Sequence, residues 1–255
     1  MTTRRTFLTG AAAMGGITLL PYQAAAGGHG ADSFASNSGE IIITPKSHAS
    51  FVMQTPAGTM YVDPVGDPEI YADMPAPDMI IITHEHGDHY NAETLAAIMG
   101  DATTMITNPA VYEMLSDDMK ARATAIANGE SMMAGDVGID AIPAYNLSED
   151  RLNFHPQGRD NGYVITVDGL RVYVSGDTED TPEMRALENI DIAFVCMNLP
   201  FTMDAEAAAS AVSEFAPTYV YPYHYRGRDN GTQDPAAFAE MLGEGIEAKF
   251  GSWYG

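Results

Sequence analysis

Cysteine is nearly absent. Cys196 is the single one in 255 residues, so no disulfide forms within the chain. It lies in the apolar run 190–197 and reads as a buried strand residue rather than a ligand or nucleophile. Basic residues are scarce too, 12 Lys and Arg against 35 Asp and Glu, for a formal net charge of −23. A surface so acidic repels nucleic acid and anionic membranes and gives no steering to a polyanionic substrate. No G-x-S-x-G elbow occurs, which removes the usual serine nucleophile. Beyond residue 26 there is no apolar stretch of membrane-spanning length, no repeat and no long linker.

What is present at the start is an address. Arg4 and Arg5, within Thr3-Arg4-Arg5-Thr6-Phe7-Leu8, form a twin-arginine pattern. A weakly apolar stretch follows over 8–20, and Ala24-Ala25-Ala26 supplies an A-x-A cleavage site. That stretch is too short for a bilayer, which takes about 20 residues. Residues 1–26 are therefore expected to be a twin-arginine signal peptide, sending the protein through the twin-arginine export machinery to the periplasm or beyond. No cysteine stands near the cleavage site, so no membrane anchor is expected. Cleavage would leave about 229 residues, the size of one larger domain. Losing Arg4 and Arg5, with no acidic residue, takes the charge from −23 to −25. Residues 27–39, polar with Gly and Ser, read as a flexible lead-in to a single domain over 40–255.

Strand-like runs occupy 40–44, 51–55, 60–63 and 79–83. Asn91 caps an expected helix over 92–99, and 111–127 reads as a second, partly amphipathic one. Strands resume at 131–133, 138–144, 163–167, 170–175 and 190–197, with Asp168-Gly169 as a hairpin turn. A helix capped by Asp204 over 204–215, a strand at 219–223, a helix over 234–242 and a strand near 248–251 complete the chain. Two βαβ-like halves of this kind stack as an α/β sandwich in four layers, αββα.

The most informative segment is Thr83-His84-Glu85-His86-Gly87-Asp88-His89, at the end of the apolar run 79–83. His84 and His86 stand two apart and project to one side of an extended segment, with Glu85 opposite. Gly87 is expected to let the chain turn so that Asp88 and His89 return to the same place. Imidazoles with a carboxylate suit zinc and similar divalent ions. Three of seven histidines within six positions mark a metal site.

This H-x-H-x-D-H motif after an apolar strand resembles the signature of the metallo-β-lactamase superfamily. The segments His48-Ala49-Ser50-Phe51 and Tyr61-Val62-Asp63-Pro64 look like the N-terminal strands of its branch related to ascorbate-6-phosphate lactonase. The likeness runs from about Ile41 to about Trp253 and implies the αββα metallo-β-lactamase fold. It implies that Asp177, in Ser175-Gly176-Asp177-Thr178, bridges two metals about 3.5–4 Å apart. It also makes His224, after the strand 219–223, the last histidine ligand. The remaining position has two candidates. His155 stands at a separation from Asp177 close to that of the superfamily's third histidine. Relatives often carry a histidine where Ala144-Tyr145-Asn146 occurs here, so Asn146 with a water is the alternative. The spacing favours His155.

His84, His86, Asp88, His89, His155, Asp177 and His224 are thus the expected ligands. His48 reads as a substrate-contacting or supporting residue, and Asp63 can accept the free N–H of a ligating histidine. The expected cofactor is Zn2+, two per chain, with Mn2+ or iron compatible with the same ligands. Two such ions would lower the pKa of a shared water toward neutrality, and Asp88 would orient it or relay its proton. Gly-Arg-Asp-Asn-Gly occurs at 158–162 and again at 227–231, so Arg159, Arg226 and Arg228 are candidates to hold a substrate carboxylate or phosphate. The resemblance implies a metal-dependent hydrolase of a small lactone or ester. A phosphodiesterase on the same site, and a metal- or ligand-binding protein without turnover, are the competing expectations.

Overall fold

The computed structural model describes residues 30–228 and 231–254; the expected signal peptide lies outside them. In chain order the strands of the first half are β1 (Asp32–Ala35), β2 (Glu40–Ser47), β3 (Ser50–Thr55), β4 (Gly58–Val62), β5 (Met79–Ile82), β6 (Thr104–Thr107) and β7 (Ala123–Ala125). Helix α1 (Ala92–Ile98) joins β5 to β6, and α2 (Pro109–Met114) and α3 (Asp117–Lys120) join β6 to β7. The second half holds β8 (Ser131–Ala134), β9 (Val137–Ala144), β10 (Asp160–Val167), β11 (Leu170–Val174), α4 (Pro182–Arg185), β12 (Ile192–Cys196), α5 (Ala205–Phe215), β13 (Tyr219–Tyr223), α6 (Pro235–Glu240) and β14 (Glu247–Ala248).

Each half makes a seven-stranded sheet, ordered β1 to β7 and β14 to β8. In both, four strands pair antiparallel and the rest continue parallel, β4 to β7 and β11 to β14. The parallel portions need crossovers, and the helices supply them. Strand β5 shows why its sequence is unbrokenly apolar. Met79 and Ile81 join the core between the sheets, while Ile80 and Ile82 join a second cluster under α1 and α2 with Leu95 and Val111. Phe194 of β12 stacks on Phe51 of β3, centroids 4.0 Å apart, and on Tyr221 of β13 at 4.8 Å, tying one sheet to the other. These are the four layers expected.

Two expectations change. The lead-in is not all loop: Asp32–Ala35 pairs with β2, and Asp32 accepts a hydrogen bond from the Tyr221 hydroxyl. The Ser36 and Ser38 hydroxyls that follow donate to Asp168 in the β10–β11 turn. The expected helix over 111–127 is two short helices and a strand. Leu115 turns extended, Ser116 accepts from Met119 N and starts α3, and β7 then pairs with β6. Local capping chemistry overrode the longer apolar period.

Candidate metal centre

All the expected ligands arrive at one end of the sandwich. His84 follows β5, Asp177 follows β11 and His224 follows β13, each at the C-terminal end of a strand. His155 lies in the β9–β10 loop and His48 in the β2–β3 turn. Three non-glycine residues here adopt left-handed backbone: His48 (φ 53°), Asp63 (φ 44°) and His224 (φ 46°). Such residues are uncommon and gather at functional sites. Gly176 (φ 61°) lets the chain reach Asp177; a Cβ there would lie 3.0 Å from the Asn161 carbonyl and 3.1 Å from Thr83 Cβ. Gly87, by contrast, has no positive φ, and a Cβ on it would meet nothing within 4 Å, so the turn after His86 does not depend on it. The His89 and Tyr90 amides donating to the His86 carbonyl make that turn.

Three ligand groups emerge, each with donor atoms within 4.8 Å of one another: His84, His86 and His155; His84, His89 and Asp177; His48, Asp88 and His224. Asp177 links them. Its Oδ2 lies 3.5 Å from His155 Nε2, and its Oδ1 lies 3.2 Å from His89 Nε2 and 3.3 Å from His224 Nε2. Asp88 Oδ2 stands 3.4 Å from His224 Nε2 and 3.3 Å from His48 Nε2. Atoms about 2.0–2.1 Å from one zinc ion in tetrahedral array lie roughly 3.3 Å apart, so these are the edges of coordination polyhedra. His84 Nε2, His89 Nε2 and Asp177 Oδ1 are buried without a hydrogen-bond partner. Buried polar atoms are rarely left so, and the donor set fits a pair of divalent cations.

The second layer fixes the rings. Asp63, fully buried, lies 2.7 Å from His89 Nδ1 and accepts from Thr83 N (2.8 Å) and Thr83 Oγ1 (2.7 Å). Asp160 stands 3.0 Å from His155 Nδ1 and receives the Arg159 guanidinium, whose Nη1 also pairs with Glu85. A carboxylate on one imidazole nitrogen aims the other at the metal. Burial, reinforced by neighbouring imidazoles, holds His84 well below its usual pKa, so it stays neutral and able to ligate. Burial also opposes charge on His89, but Asp177 and Asp63 outweigh it and raise its pKa. Burial works against the Asp88 carboxylate as well, yet bonds from His224 and His48 hold it far below the carboxylate range.

A family profile described as a β-lactamase superfamily domain matches residues 43–224. The chain belongs to the metallo-β-lactamase superfamily. A metal-dependent hydrolase of Anaeromyxobacter dehalogenans is 31% identical over 207 residues, 73% of this chain and 75% of that protein. One from Pyrococcus furiosus is 29% identical over 80% of this chain and 93% of its own length. A solved structure from Parabacteroides distasonis, described as a metal-dependent hydrolase, superposes with a TM-score of 0.77 at 38% identity, covering 86% of this chain and 97% of that one. The protein is a metal-dependent hydrolase of this fold.

In this superfamily member His155, not Asn146, stands with His84 and His86. The Asn146 amide instead donates to the Arg151 and Phe201 carbonyls and staples the β9–β10 loop. His48 comes closer than the sequence suggested, reaching ligand distance of Asp88. Its Nδ1 is held 2.9 Å from the Tyr254 hydroxyl, and Arg226 lies over the Tyr254 ring at 4.3 Å. Arg228 lies over Phe201 at 5.3 Å, and Phe201 meets Phe154 edge-on. Asp160 and Tyr254 were not foreseen. Asp160 stands in the first Gly-Arg-Asp-Asn-Gly motif, which is its signal; Tyr254 carries no sequence signal.

Proposed function

We propose that the protein is an exported hydrolase with two zinc ions per chain that opens a lactone or ester-type carbonyl of a small molecule. The bridging stance of Asp177 carries this reading, each of its oxygens facing a different set of imidazoles. His84, His86 and His155 with Asp177 Oδ2 would hold one cation. Asp88, His89 and His224 with Asp177 Oδ1 would hold the other. Cations so placed lower the pKa of a shared water and polarise the substrate oxygen. Asp88 then has a distinct task. Its side chain is 46% exposed beside the centre, so it can orient the attacking water and relay its proton to the leaving oxygen. Asp63 and Asp160, each set against an Nδ1, direct the Nε2 atoms of His89 and His155 toward the cations.

Arg226 and Arg228 make no ion pair with a carboxylate among the described residues, and both are exposed. In so acidic a chain this favours a substrate with an anionic group, set against the rings of Tyr254 and Phe201. The same observation supports phosphodiester hydrolysis as the second reading. The test is elemental analysis of the purified protein together with a screen of lactones, carboxylic esters and phosphodiesters. Two equivalents of zinc with lactone or ester turnover are expected; phosphodiester turnover alone would move the assignment to the second reading. Tightly bound metal with no turnover of any class would favour a binding protein. Export is tested separately by N-terminal sequencing of the secreted form: a start at Gly27 is expected, and a cytoplasmic chain retaining Arg4 and Arg5 would remove the export reading.

A further inference from the structure

One buried polar side chain at the centre has so far been given no task. Asn198 follows β12 and is 3% exposed. Its backbone is pinned from both sides: its N–H donates to Thr202 Oγ1 (3.0 Å), and its carbonyl accepts from the Phe201 (2.8 Å) and Thr202 (3.0 Å) amides. The side chain therefore has little freedom except to turn its amide about its own axis. One end of that amide, Nδ2, lies 3.2 Å from His224 Nε2 and 3.4 Å from Asp177 Oδ2. The other end, Oδ1, is buried with no hydrogen-bond partner.

That Oδ1 lies 3.3 Å from where a Cβ on Gly227 would stand, and such a Cβ would collide with the Leu199 carbonyl. The glycine thus lets the loop after His224 close over Asn198.

The 3.2 Å separation from His224 Nε2 matches the edges between the accepted ligands of the cation held by Asp88, His89 and His224, 3.2 to 3.4 Å, while Asp177 Oδ2 at 3.4 Å belongs to the neighbouring set. Without a cation an NH2 group there is reasonable, since it faces lone pairs of His224 and Asp177. With a cation on those lone pairs it is unfavourable, because an amide nitrogen has no lone pair to offer and its hydrogens carry positive charge. Turning the amide removes that repulsion. The orphaned oxygen then faces positive charge.

We propose that Asn198 is a further ligand of the cation held by Asp88, His89 and His224, through its amide oxygen. This rests on the reading of the site as a two-cation centre. It makes the two positions unequal. The first has three imidazoles and one carboxylate oxygen; the second has two imidazoles and oxygens from Asp88, Asp177 and Asn198. Oxygen donors and higher coordination suit harder ions, so the two positions should fill separately.

The test is stepwise loading of the full-length, metal-stripped protein with Co2+, followed by visible absorption and by bound-metal analysis. The wild type is expected to take two equivalents, the second with the weak absorption of a five- or six-coordinate ion. Asn198→Leu should keep the first equivalent and lose at least about ten-fold in affinity for the second, the scale at which even supporting residues act. Asn198→Asp should keep both, with the second held as tightly or more so. Asn198→Leu binding the second equivalent with unchanged affinity and spectrum would overturn the assignment. So would Asn198→Asp losing that equivalent while Asn198→Leu keeps it, the pattern of a hydrogen-bond donor. If Asn198→Leu does not fold, the near-isosteric Asn198→Asp and the smaller Asn198→Ser carry the comparison. Asn198→Ser should lose the second equivalent, and its retention at wild-type affinity would overturn the proposal. A wild type that takes up no Co2+ would remove the two-cation reading and this proposal together, an outcome distinct from two equivalents in every variant.

Discussion

At the scale of single residues, the centre is a competition between protons and cations. In the metal-free protein His89 holds a proton more firmly than usual: burial opposes it, but Asp177 and Asp63 prevail. A cation at His89 Nε2 must displace that proton. Metal affinity is therefore expected to fall as pH drops, and loading at neutral pH should release about one proton from this residue. Calorimetric titration in buffers of different ionisation enthalpy reads the number; uptake without proton release would contradict the assignment. Asp177→Ala should empty at least one cation position and cut turnover by roughly a hundred-fold or more, the scale for removing one preorganised stabilising group. Asp63→Asn should leave the fold in place but weaken metal binding by about 10–100-fold. His155→Ala should lower metal occupancy, whereas Asn146→Ala should loosen only the β9–β10 loop; bound-metal analysis of the two variants separates them.

At the scale of elements, legibility followed the range of the causes. The motif after β5, the Asn91 and Asp204 caps and the Asp168-Gly169 turn depend on neighbours within a few residues, and the sequence displays them. Strand β1 was hidden although its partner β2 is a short turn away, because its anchors, Tyr221 and Asp168, are remote in sequence. The left-handed turns at His48, Asp63 and His224 were hidden for the same reason, since nothing local asks a histidine to adopt positive φ. The sequence accordingly gives His48 only a substrate-contacting or supporting role, whereas its turn delivers it to Asp88. Between the elements the packing is tight, and Phe194 bridges them. Phe194→Ala is expected to cost about 3–5 kcal/mol in denaturant unfolding, through lost burial and the cavity left between Phe51 and Tyr221. A loss under 1 kcal/mol would mean that the sheets do not depend on this contact.

At the scale of the whole molecule, charge and chemistry are segregated. The net charge of −23 makes the chain repel itself, so added salt should raise the melting temperature of the metal-free protein by screening. An apolar cavity of about 340 Å³, lined by Met60, Met79, Met105 and Met132, lies at the far end of the strands from the ligands. It belongs to the seam between the sheets and not to the reaction. Chelation should lower the melting temperature as well, because a ligand bound only to the native state stabilises it by mass action, about 2.7 kcal/mol at a hundred times Kd.

The distribution of ligands along the chain has one more consequence, for time rather than energy. His84, His86, Asp88 and His89 come from the first half, and His155, Asp177 and His224 from the second. Neither half can close a coordination sphere until the two sheets have docked. Cation uptake is then a clock for the last step of folding: in a refolding experiment its signal should lag behind the burial of Trp253.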